Sequence, residues 1–488
     1  MINMGGCAES NPEIIKDLIK RVAFIYLSLA PSAVGRRAIK EKFILRRRLG
    51  LEYLCATLKN KNIETKIYDQ VLLDFSLEKL VSFLKRDKID LVGFYIISKN
   101  LNIVKCYIKE IKKKVNIPVI SGGPGCNHYN ELIDAGCEIV CLGEGDETIV
   151  EIVDYYEGRE SLREIKGIAY FDTETKKILT TLARPLISNL DNLPFPHRDP
   201  KMIQKYCDYF AYPLKRPYIT IITSRGCPHN CSFCTSHSFW KRKYRQRSVE
   251  NVIQEIKQAV HELNIKSIYF VDDIFALDFN WLTEFCQAVK KEKFNFTWMC
   301  NLHPMTFRKT REKAFSLMKE SGCSIISFGA QSADAEILKR VNRDPGEPGE
   351  LRKAICQANS TGITTAVTYI FGLPGETVKT LQKNIDFCLE AKPHIVDFHL
   401  LEIIPFSDLS IHYSQGRVCE LGEDQLAYYN MKYMMSYYLR PKIAFQLLRD
   451  ILNKNPARIL TFSRLGFHFL KILLASPGSL LSGQSKQR

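Results

Sequence analysis

Three cysteines that lie close together form the part of this chain with the clearest chemical potential. Cys227, Cys231 and Cys234 follow the pattern CxxxCxxC within TSRGCPHNCSFC, directly after an apolar, strand-like stretch. Structural zinc usually takes four protein ligands in two pairs, so three clustered thiols without an evident fourth favour an iron–sulfur cluster with one free iron. That iron could bind a substrate or a cofactor. Three ordinary buried cysteines, in a chain that contains 16, are the alternative.

The cysteine segment follows the first of six predicted strands. These strands span residues 218–223, 267–271, 296–302, 324–328, 365–371 and 395–401, and helical patterns separate them at 249–263, 281–290, 310–321, 351–361 and 377–390. The alternation predicts a partial (βα)6 barrel over residues 215–425. Barrel enzymes place their chemistry at the carboxyl ends of the strands. Chemically suggestive groups follow the predicted strands there: Asp272 and Asp273, His303, residues 329–332 and residues 372–377.

The first 195 residues alternate short apolar runs with amphipathic helical patterns. The predicted strands span residues 22–27, 64–68, 91–96, 118–121 and 138–142, and the predicted helices span 51–58, 80–84, 103–115 and 149–156. This pattern predicts a doubly wound parallel sheet, closed by a hairpin of residues 167–171 and 177–181. Such sheets bind ligands beyond the carboxyl ends of their strands, where this chain has Ser98, Gly122, Gly123, Gly143 and Gly145. Ordinary turn chemistry is the alternative explanation for these small residues.

Prolines interrupt regular structure between residues 183 and 215 and indicate a domain boundary, among them Pro185, Pro194, Pro196 and Pro200. The predicted organisation is therefore α/β, with a first domain at 1–195, the barrel at 215–425 and a helical region at 426–488. In the helical region, residues 459–475 place apolar side chains on one face with basic residues interspersed. This pattern predicts an amphipathic helix that packs on the barrel or lies in a membrane interface.

Composition excludes several classes of protein. With 45% hydrophobic and 25% charged residues, the chain is too apolar to be disordered. No stretch reaches the roughly 18 apolar residues of a membrane span, and 16 scattered cysteines without a secretory signal predict reduced thiols in the cytoplasm. The net charge of +16 is spread over clusters at residues 36–48, at 241–247 and at the C-terminus, so nucleic-acid binding is not expected. Solvated surface explains these clusters, and an anionic ligand or a membrane surface is the alternative.

With its cysteines in this context, the chain resembles the radical S-adenosylmethionine enzymes, and its layout is similar to their cobalamin-binding subgroup over residues 15–430. The N-terminal likeness rests on the fragments GLEYL (50–54), IYD (67–69), VG (92–93), SGGP (121–124) and LGEGDET (142–148). The resemblance implies a 4Fe-4S cluster on Cys227, Cys231 and Cys234, with S-adenosylmethionine bound to the free iron. It further implies that the following residues contact the cosubstrate: Phe233, Asp272, Asp273, Gln331, Ser332, Gly372, Pro374, Gly375 and Glu376.

The same resemblance implies cobalamin in the N-terminal domain, near these residues: Ser98, Gly122, Gly123, Gly143 and Gly145. Mutase-type cobalamin proteins supply a histidine to cobalt from an Asp-x-His-x-x-Gly motif, which this chain lacks. His128 lies in the domain and His197 follows it directly, and the resemblance implies that no protein histidine binds cobalt. A degenerate domain that no longer binds cobalamin is the alternative.

The resemblance implies methylation of an unactivated carbon. No amino-acid side chain can cleave such a C–H bond unaided, so the cofactors must do so. Ring formation, rearrangement or oxidation within the same subgroup, a methylthiotransferase and a non-catalytic cobalamin carrier are the alternatives. The residues identify no catalytic side chain, and the substrate could be a small molecule, a lipid or a peptide. An electron donor such as flavodoxin or ferredoxin is implied as a partner. Peripheral membrane contact through residues 459–475 is a separate hypothesis.

Overall fold

The computed structural model describes residues 18–28, 48–205, 214–344, 346, 349–405, 407–413, 418–441, 443 and 445. The predicted amphipathic segment 459–475 lies outside the described residues, and so does the basic cluster that precedes Arg48. None of the described helices is long and apolar enough to cross a membrane.

The N-terminal sheet is parallel over five strands and ends in an antiparallel hairpin. Its strands are β1 (Arg21–Tyr26), β2 (Glu64–Asp69), β3 (Leu91–Tyr95), β4 (Val119–Gly122), β5 (Ile139–Cys141), β6 (Ile168–Asp172) and β7 (Lys177–Thr180). The spatial order is β2-β1-β3-β4-β5-β6-β7. The direction of strand addition reverses between β1 and β3, and open α/β sheets bind ligands beyond the carboxyl ends of the strands at such a point.

Helices cover both faces of this sheet. They are α1 (Leu49–Lys59), α2 (Gln70–Leu73), α3 (Leu77–Arg86), α4 (Leu101–Lys114), α5 (Tyr129–Asp134) and α6 (Gly145–Tyr156). Helix α3 shows why they form: the side chain of Ser76 accepts a hydrogen bond from the Lys79 amide, and Lys85 and Arg86 occupy the last turn. The apolar sides of α1 and α6 bury one core, and those of α3, α4 and α5 bury a second core on the opposite face.

The second sheet has six parallel strands and a short antiparallel ribbon beside them. Its elements are β8 (Tyr218–Ile221), β9 (Ser224–Arg225), β10 (Arg245–Gln246), β11 (Ser267–Phe270), β12 (Thr297–Leu302), β13 (Cys323–Gln331), β14 (Thr364–Phe371) and β15 (Ile395–Leu400). The six-stranded sheet has the order β8-β11-β12-β13-β14-β15, and β9 pairs with β10. Consecutive parallel neighbours with helices between them form the partial barrel that the sequence predicts.

Side chains of the second sheet alternate between two cores. Those that face the outer helices include Ile219, Ile268 and Trp298, and those on the other face include Tyr218, Tyr269 and Met299. The helices are α7 (Pro200–Ile203), α8 (Ser236–Trp240), α9 (Val249–Leu263), α10 (Phe279–Lys291), α11 (Arg311–Glu320), α12 (Ala335–Arg340), α13 (Glu350–Ser360), α14 (Val378–Ala391), α15 (Asp408–His412) and α16 (Glu423–Tyr438).

Helix α16 covers the edge strand β15. The Tyr438 hydroxyl accepts a hydrogen bond from the Val396 amide at 2.8 Å and donates one to the Val396 carbonyl at 2.7 Å. The Asn430 side chain donates to the Phe398 carbonyl at 2.7 Å. These bonds satisfy backbone groups that an open sheet edge would leave unpaired.

The predicted α/β class, with its doubly wound sheet, closing hairpin, partial barrel and C-terminal helix, is confirmed. The end of β13 differs from the prediction, which stopped at Phe328. The strand continues to Gln331 through a register shift after Gly329, and Gln331 has a φ of 68°. An irregular end of this kind breaks the side-chain alternation on which strand prediction depends.

Candidate active site

A cavity of about 670 Å³ lies between the two sheets, in the size range of ligand pockets. One wall comes from Phe24 of β1, from the carboxyl ends of β3, β4 and β5 with Gly122 and Gly143, and from the first turns of α1. The other wall comes from α8, from the end of β11 and from the last two residues of the loop 226–235, which is called the cysteine loop below. Cys234, Asp272 and Asp273 are part of that second wall. The cavity therefore joins the glycine-rich and the cysteine-rich parts of the sequence.

Two of the predicted glycines leave open space toward this cavity. A Cβ atom on Gly122 would meet only the Cβ of Cys141, at 3.7 Å. A Cβ on Gly143, whose φ is +109°, would meet nothing within 4 Å. Both residues line the cavity, so a broad ligand could approach the backbone there. This geometry fits a large ring such as cobalamin.

The other residues predicted to contact cobalamin are Gly123, Gly145 and Ser98, and these lie in tighter surroundings or outside the cavity wall. Gly123 lines the cavity, but a Cβ on it would lie 2.7 Å from the Ile96 carbonyl oxygen. Gly145 also lines the cavity and begins α6. Ser98 is not among the lining residues; its backbone nitrogen lies 2.9 Å from the position of a Cβ on Gly125. Ser98 begins a short 3-10 helix, Ser98–Asn100, after β3.

The histidines of the N-terminal part lie away from the cavity wall. His128 pairs with Glu131 at 3.1 Å, and the backbone of the exposed His197 donates to the Glu52 carbonyl. Among the described residues that form the cavity wall, none is a histidine.

The cysteine loop begins with a turn that requires glycine. Gly226 has a φ of +93°, and a Cβ on it would lie 2.1 Å from the Lys243 carbonyl oxygen. Within the loop, Cys231 is buried, and Cys227 and Cys234 are partly buried. The Cys234 amide donates to the Cys231 carbonyl at 3.0 Å. This turn brings the three thiols close enough for their charges to interact.

Burial raises the pKa of the Cys227 thiol to about 11 and also raises the pKa of Cys234. Thiols bind iron as thiolates, so binding of a cluster would release these protons. Within the described residues, no three His, Cys, Asp or Glu side chains converge on a single metal ion. A 4Fe-4S cluster takes each thiolate on a different iron, so its ligands need not converge in that way. The all-sulfur donor set fits an iron–sulfur cluster.

Arg343 is a site residue that the sequence patterns did not single out. Its Nη1 donates to the Cys231 sulfur at 3.6 Å, and its Nη2 donates to the Gly329 carbonyl. His303 lies nearby and stacks on His229 with ring centroids 4.4 Å apart. Burial, reinforced by Arg343, lowers the pKa of His303 to about 2, so this imidazole is neutral. Arg343 therefore supplies a buried positive charge beside the cysteine loop.

The two aspartates after β11 differ in their surroundings. Asp272 is buried, and its Oδ1 accepts hydrogen bonds from the Thr223 amide, the Thr223 hydroxyl and the Ser224 hydroxyl at 2.8, 2.9 and 2.6 Å. Burial raises the pKa of Asp272 to about 6, and its Oδ2 has no hydrogen-bond partner. Asp273 is exposed and accepts a hydrogen bond from Ser236 at 3.0 Å. Asp272 thus anchors the chain just before the cysteine loop.

The remaining predicted cosubstrate residues are not among the described residues that form the cavity wall: Phe233, Gln331, Ser332, Gly372, Pro374, Gly375 and Glu376. Phe233 packs with Leu373 in a small apolar cluster. Gly372 and Gly375 have φ values of +98° and +77°, which the turn around the buried Pro374 requires. Ser332 is buried, and its hydroxyl accepts a hydrogen bond from the Asp334 amide at 3.1 Å.

The side chain of Glu376 stabilises the turn of residues 372–375 by hydrogen bonds to its backbone. Its Oε2 accepts hydrogen bonds from the amides of Gly372 and Leu373, whereas its Oε1 has no partner. Burial raises the pKa of Glu376 to about 8. The contacts in the structure therefore give Glu376 a role in holding the turn.

The basic cluster after the cysteine loop divides into two groups. Lys241, Arg242 and Lys243 are exposed, as the solvated-surface interpretation predicts. That interpretation is wrong for Arg245 and Arg247, whose side chains are only 10% and 3% exposed and bind Glu144 and Glu255. Glu144 lies 101 residues from Arg245, so no local charge pattern indicates that pair. Glu255 lies only 8 residues after Arg247, but a charge pattern does not show that both side chains are buried.

Comparisons with known proteins agree with this geometry. Residues 221–388 match the Radical SAM superfamily, and residues 47–153 match the B12 binding domain. The chain is 28% identical over 427 residues to an uncharacterised methyltransferase of Pyrococcus horikoshii, which covers 83% of this chain and 89% of that protein. It is 25% identical to an anaerobic magnesium-protoporphyrin IX monomethyl ester cyclase of Cereibacter sphaeroides, over 73% of this chain and 58% of that one.

Among solved structures, the fold is similar to the radical S-adenosylmethionine methyltransferase TsrM from Kitasatospora setae, with cobalamin and a [4Fe-4S] cluster bound. The TM-score is 0.66 at 17% identity, and the match covers 81% of this chain and 78% of that one.

Proposed function

We propose, because this chain belongs to the radical SAM superfamily and carries a B12 binding domain, that it methylates an unactivated carbon of a small-molecule substrate. One observation carries the proposal: a single cavity reaches from the glycines after β4 and β5 to Cys234 and the end of β11. A substrate carbon in that cavity would face both cofactor sites at once. Such proximity is what group transfer between cofactor and substrate needs.

Three cofactors belong to these two families: a 4Fe-4S cluster, S-adenosylmethionine and cobalamin. When bound, they supply low-potential electron transfer, a radical that removes hydrogen from carbon, and a transferable methyl group. Cys227, Cys231 and Cys234 are the proposed cluster ligands. The open faces of Gly122 and Gly143 support a cobalamin site at the N-terminal wall of the cavity.

The contribution of the polypeptide is to hold and orient these groups and to keep water out. Arg343 donates to the sulfur of Cys231 from a buried position, which limits the rotation of that ligand. Asp272 fixes the backbone that leads into the cysteine loop. Phe233 and Leu373 place an apolar surface on the other side of the loop. Together these contacts preorganise the site, so little rearrangement is needed when the cofactors bind.

A one-electron donor such as flavodoxin or ferredoxin is the proposed protein partner, because radical chemistry of this kind begins with a reduced cluster. Ring formation is the second candidate activity. The similarity to the cyclase of Cereibacter sphaeroides favours it, since that protein shares a comparable part of this chain. The two candidates use the same cluster site and differ in what happens to the substrate.

The test is product analysis of anaerobically reconstituted protein incubated with cobalamin, S-adenosylmethionine and a strong reductant. Formation of both 5'-deoxyadenosine and S-adenosylhomocysteine is expected for the methyltransferase. 5'-Deoxyadenosine alone would support ring formation or another radical outcome. Absence of both products, from protein shown to hold its cluster, would indicate either that the substrate is required for turnover or that the protein is a non-catalytic carrier.

Cysteine variants test the cluster assignment directly. Cys231→Ala should lose the visible absorbance of the cluster and all 5'-deoxyadenosine formation, because a buried ligand is removed. Cys356→Ala is the matched control, since Cys356 is exposed on α13. It should keep both signals. A Cys231→Ala protein with a full cluster and full product would contradict the assignment.

A further inference from the structure

Four charged side chains join the two sheets beside the cavity, and we call them the inter-sheet clamp: Glu144, Asp146, Arg225 and Arg245. Arg225 Nη1 lies 2.7 Å from Glu144 Oε1 and 2.8 Å from Asp146 Oδ2, and its Nη2 donates to Asp146 Oδ1 at 3.2 Å. Arg245 Nη1 lies 2.8 Å from Glu144 Oε2. All four side chains are at most 10% exposed.

The clamp connects the turn after β5 with the cysteine loop, because its residues are close neighbours of both in the sequence. Glu144 stands between Gly143 and Gly145, in the turn that lines the N-terminal wall. Arg225 lies two residues before Cys227, at the start of the cysteine loop. A displacement of one loop would therefore act on the other directly through the side chains of the clamp.

The segment that carries Arg225 is also held from the barrel side. Thr223 and Ser224, which precede it, bind the buried carboxylate of Asp272. Strand β9, which contains Arg225, pairs with β10, which contains Arg245. The entry to the cysteine loop is thus tied to β11 on one side and to the N-terminal sheet on the other.

The carboxylate of Glu144 has a full set of partners. In addition to the two arginines, its Oε2 accepts a hydrogen bond from the Ile187 amide at 2.8 Å. The buried guanidinium of Arg225 is likewise paired, with Glu144 on one side and both oxygens of Asp146 on the other. Buried ion pairs often add little net stability, whereas a fork of paired hydrogen bonds fixes direction and distance. The clamp is therefore better suited to positioning than to stabilisation.

We propose that the inter-sheet clamp sets the distance between the cobalamin site and the iron–sulfur cluster, with Arg225 and Glu144 as its positioning residues. The inference rests on the proposed function, since it needs both cofactors in the same protein. Its chemical reason is geometric: a reacting carbon must lie within about 3–3.5 Å of its partner atom. A clamp at the base of both loops keeps the distance between the two cofactor sites constant, so that one substrate can reach both.

The experiment measures the magnetic interaction between the reduced cluster and the cobalt(II) of bound cob(II)alamin. The electron paramagnetic resonance spectrum reports this interaction as line splitting and faster relaxation, and its dipolar part falls with the cube of the distance. Glu144→Gln keeps the shape of the carboxylate and removes its charge. Arg225→Lys keeps the charge and removes the fork. Iron, sulfide and cobalamin contents are measured in parallel.

The matched control is Arg311→Gln. Arg311 and Glu350 form a buried pair at 3.0 Å, and neither residue lines the cavity. This variant reports the general effect of losing a buried ion pair. Its magnetic interaction should equal that of the wild type.

We expect Glu144→Gln and Arg225→Lys to bind both cofactors and to show a weaker, more widely distributed interaction than the wild type and Arg311→Gln. An interaction equal to that of the wild type in both clamp variants would overturn the inference. If Arg225→Lys fails to assemble its cluster, Glu144→Gln decides, because Glu144 lies far from the cysteine loop in sequence. A wild-type protein that holds its cluster but binds no cobalamin would instead refute the proposed function.

Discussion

Gly122 allows the proposed cobalamin site to be tested separately from the fold. A Cβ on Gly122 would meet only the Cβ of Cys141, at the ordinary contact distance of 3.7 Å. Gly122→Ala should therefore fold normally. Since alanine restricts the unfolded chain more than glycine does, the substitution should raise the free energy of unfolding by up to about 1 kcal/mol.

The same methyl group occupies space at the cavity wall, because Gly122 is a lining residue. Overfilling a fitted site costs about 1–3 kcal/mol. Each 1.4 kcal/mol is a tenfold change in a dissociation constant, so cobalamin should bind about 5- to 140-fold more weakly to Gly122→Ala. Gly122→Leu places three further carbons there and should bind more weakly still. The expected signature is therefore weaker binding in a protein that is no less stable.

The assay is a titration of cluster-loaded protein with hydroxocobalamin, followed by absorbance, together with thermal unfolding of the same samples. Gly422→Ala is the control: Gly422 is the N-cap of α16, and a Cβ there would meet only Gln425, at 3.9 Å. Its cobalamin affinity should equal that of the wild type. Equal affinity in the wild type, Gly122→Ala and Gly122→Leu would refute the placement of cobalamin at this wall.

Three further substitutions test buried contacts of the second sheet and its helices. Burial raises the pKa of Asp272 to about 6, so the protonated carboxyl contributes fully to the free energy of unfolding below about pH 4, and this contribution is lost as the pH rises through 6. Asp272→Asn should remove this pH-dependent decline, which is at most about 3 kcal/mol, when unfolding of the cluster-free protein is measured against pH. Glu255→Gln removes the carboxylate that pairs with the buried side chains of Arg198 and Arg247, and should lower the free energy of unfolding by about 3–5 kcal/mol. The control, Glu284→Gln at an exposed position, should change it by less than about 0.5 kcal/mol, and similar values for both variants would contradict the pairing. Tyr438→Phe removes the hydroxyl bonded to both backbone groups of Val396 and should cost about 1–3 kcal/mol, with faster hydrogen exchange at that amide as the local readout.

Most long elements could be predicted from local periodicity. Helix α9 begins and ends at the predicted residues 249 and 263, since a helix that buries one face repeats its apolar residues at the helical period. Strands β9 and β10 were not predicted, because two residues each are too few to show an alternation. These short strands nevertheless carry the two arginines of the inter-sheet clamp, which is why the sequence patterns missed it.

The candidate site divides in the same way. The spacing of Cys227, Cys231 and Cys234 was enough to indicate an iron–sulfur site, because ligand type and loop spacing are local properties of the chain. The similarity of the chain to the Radical SAM superfamily agrees with that prediction. The individual cofactor contacts of Ser98 and Glu376 stay predictions: Ser98 is not among the residues of the cavity wall, and Glu376 accepts hydrogen bonds from the backbone of its own turn.

The sequence by itself determined the class of fold, the cluster motif and the glycine-rich turns, since each depends on residues that are neighbours in the chain. Only the tertiary structure decided which charges are buried and which are solvated. Arg225 and Glu144 are 81 residues apart, and the same LGEGDET fragment would read as a simple turn without its partner. The physical reason is that the energy of a buried charge depends on the distance to its counter-charge and on the exclusion of water, and the packing of the two sheets sets both.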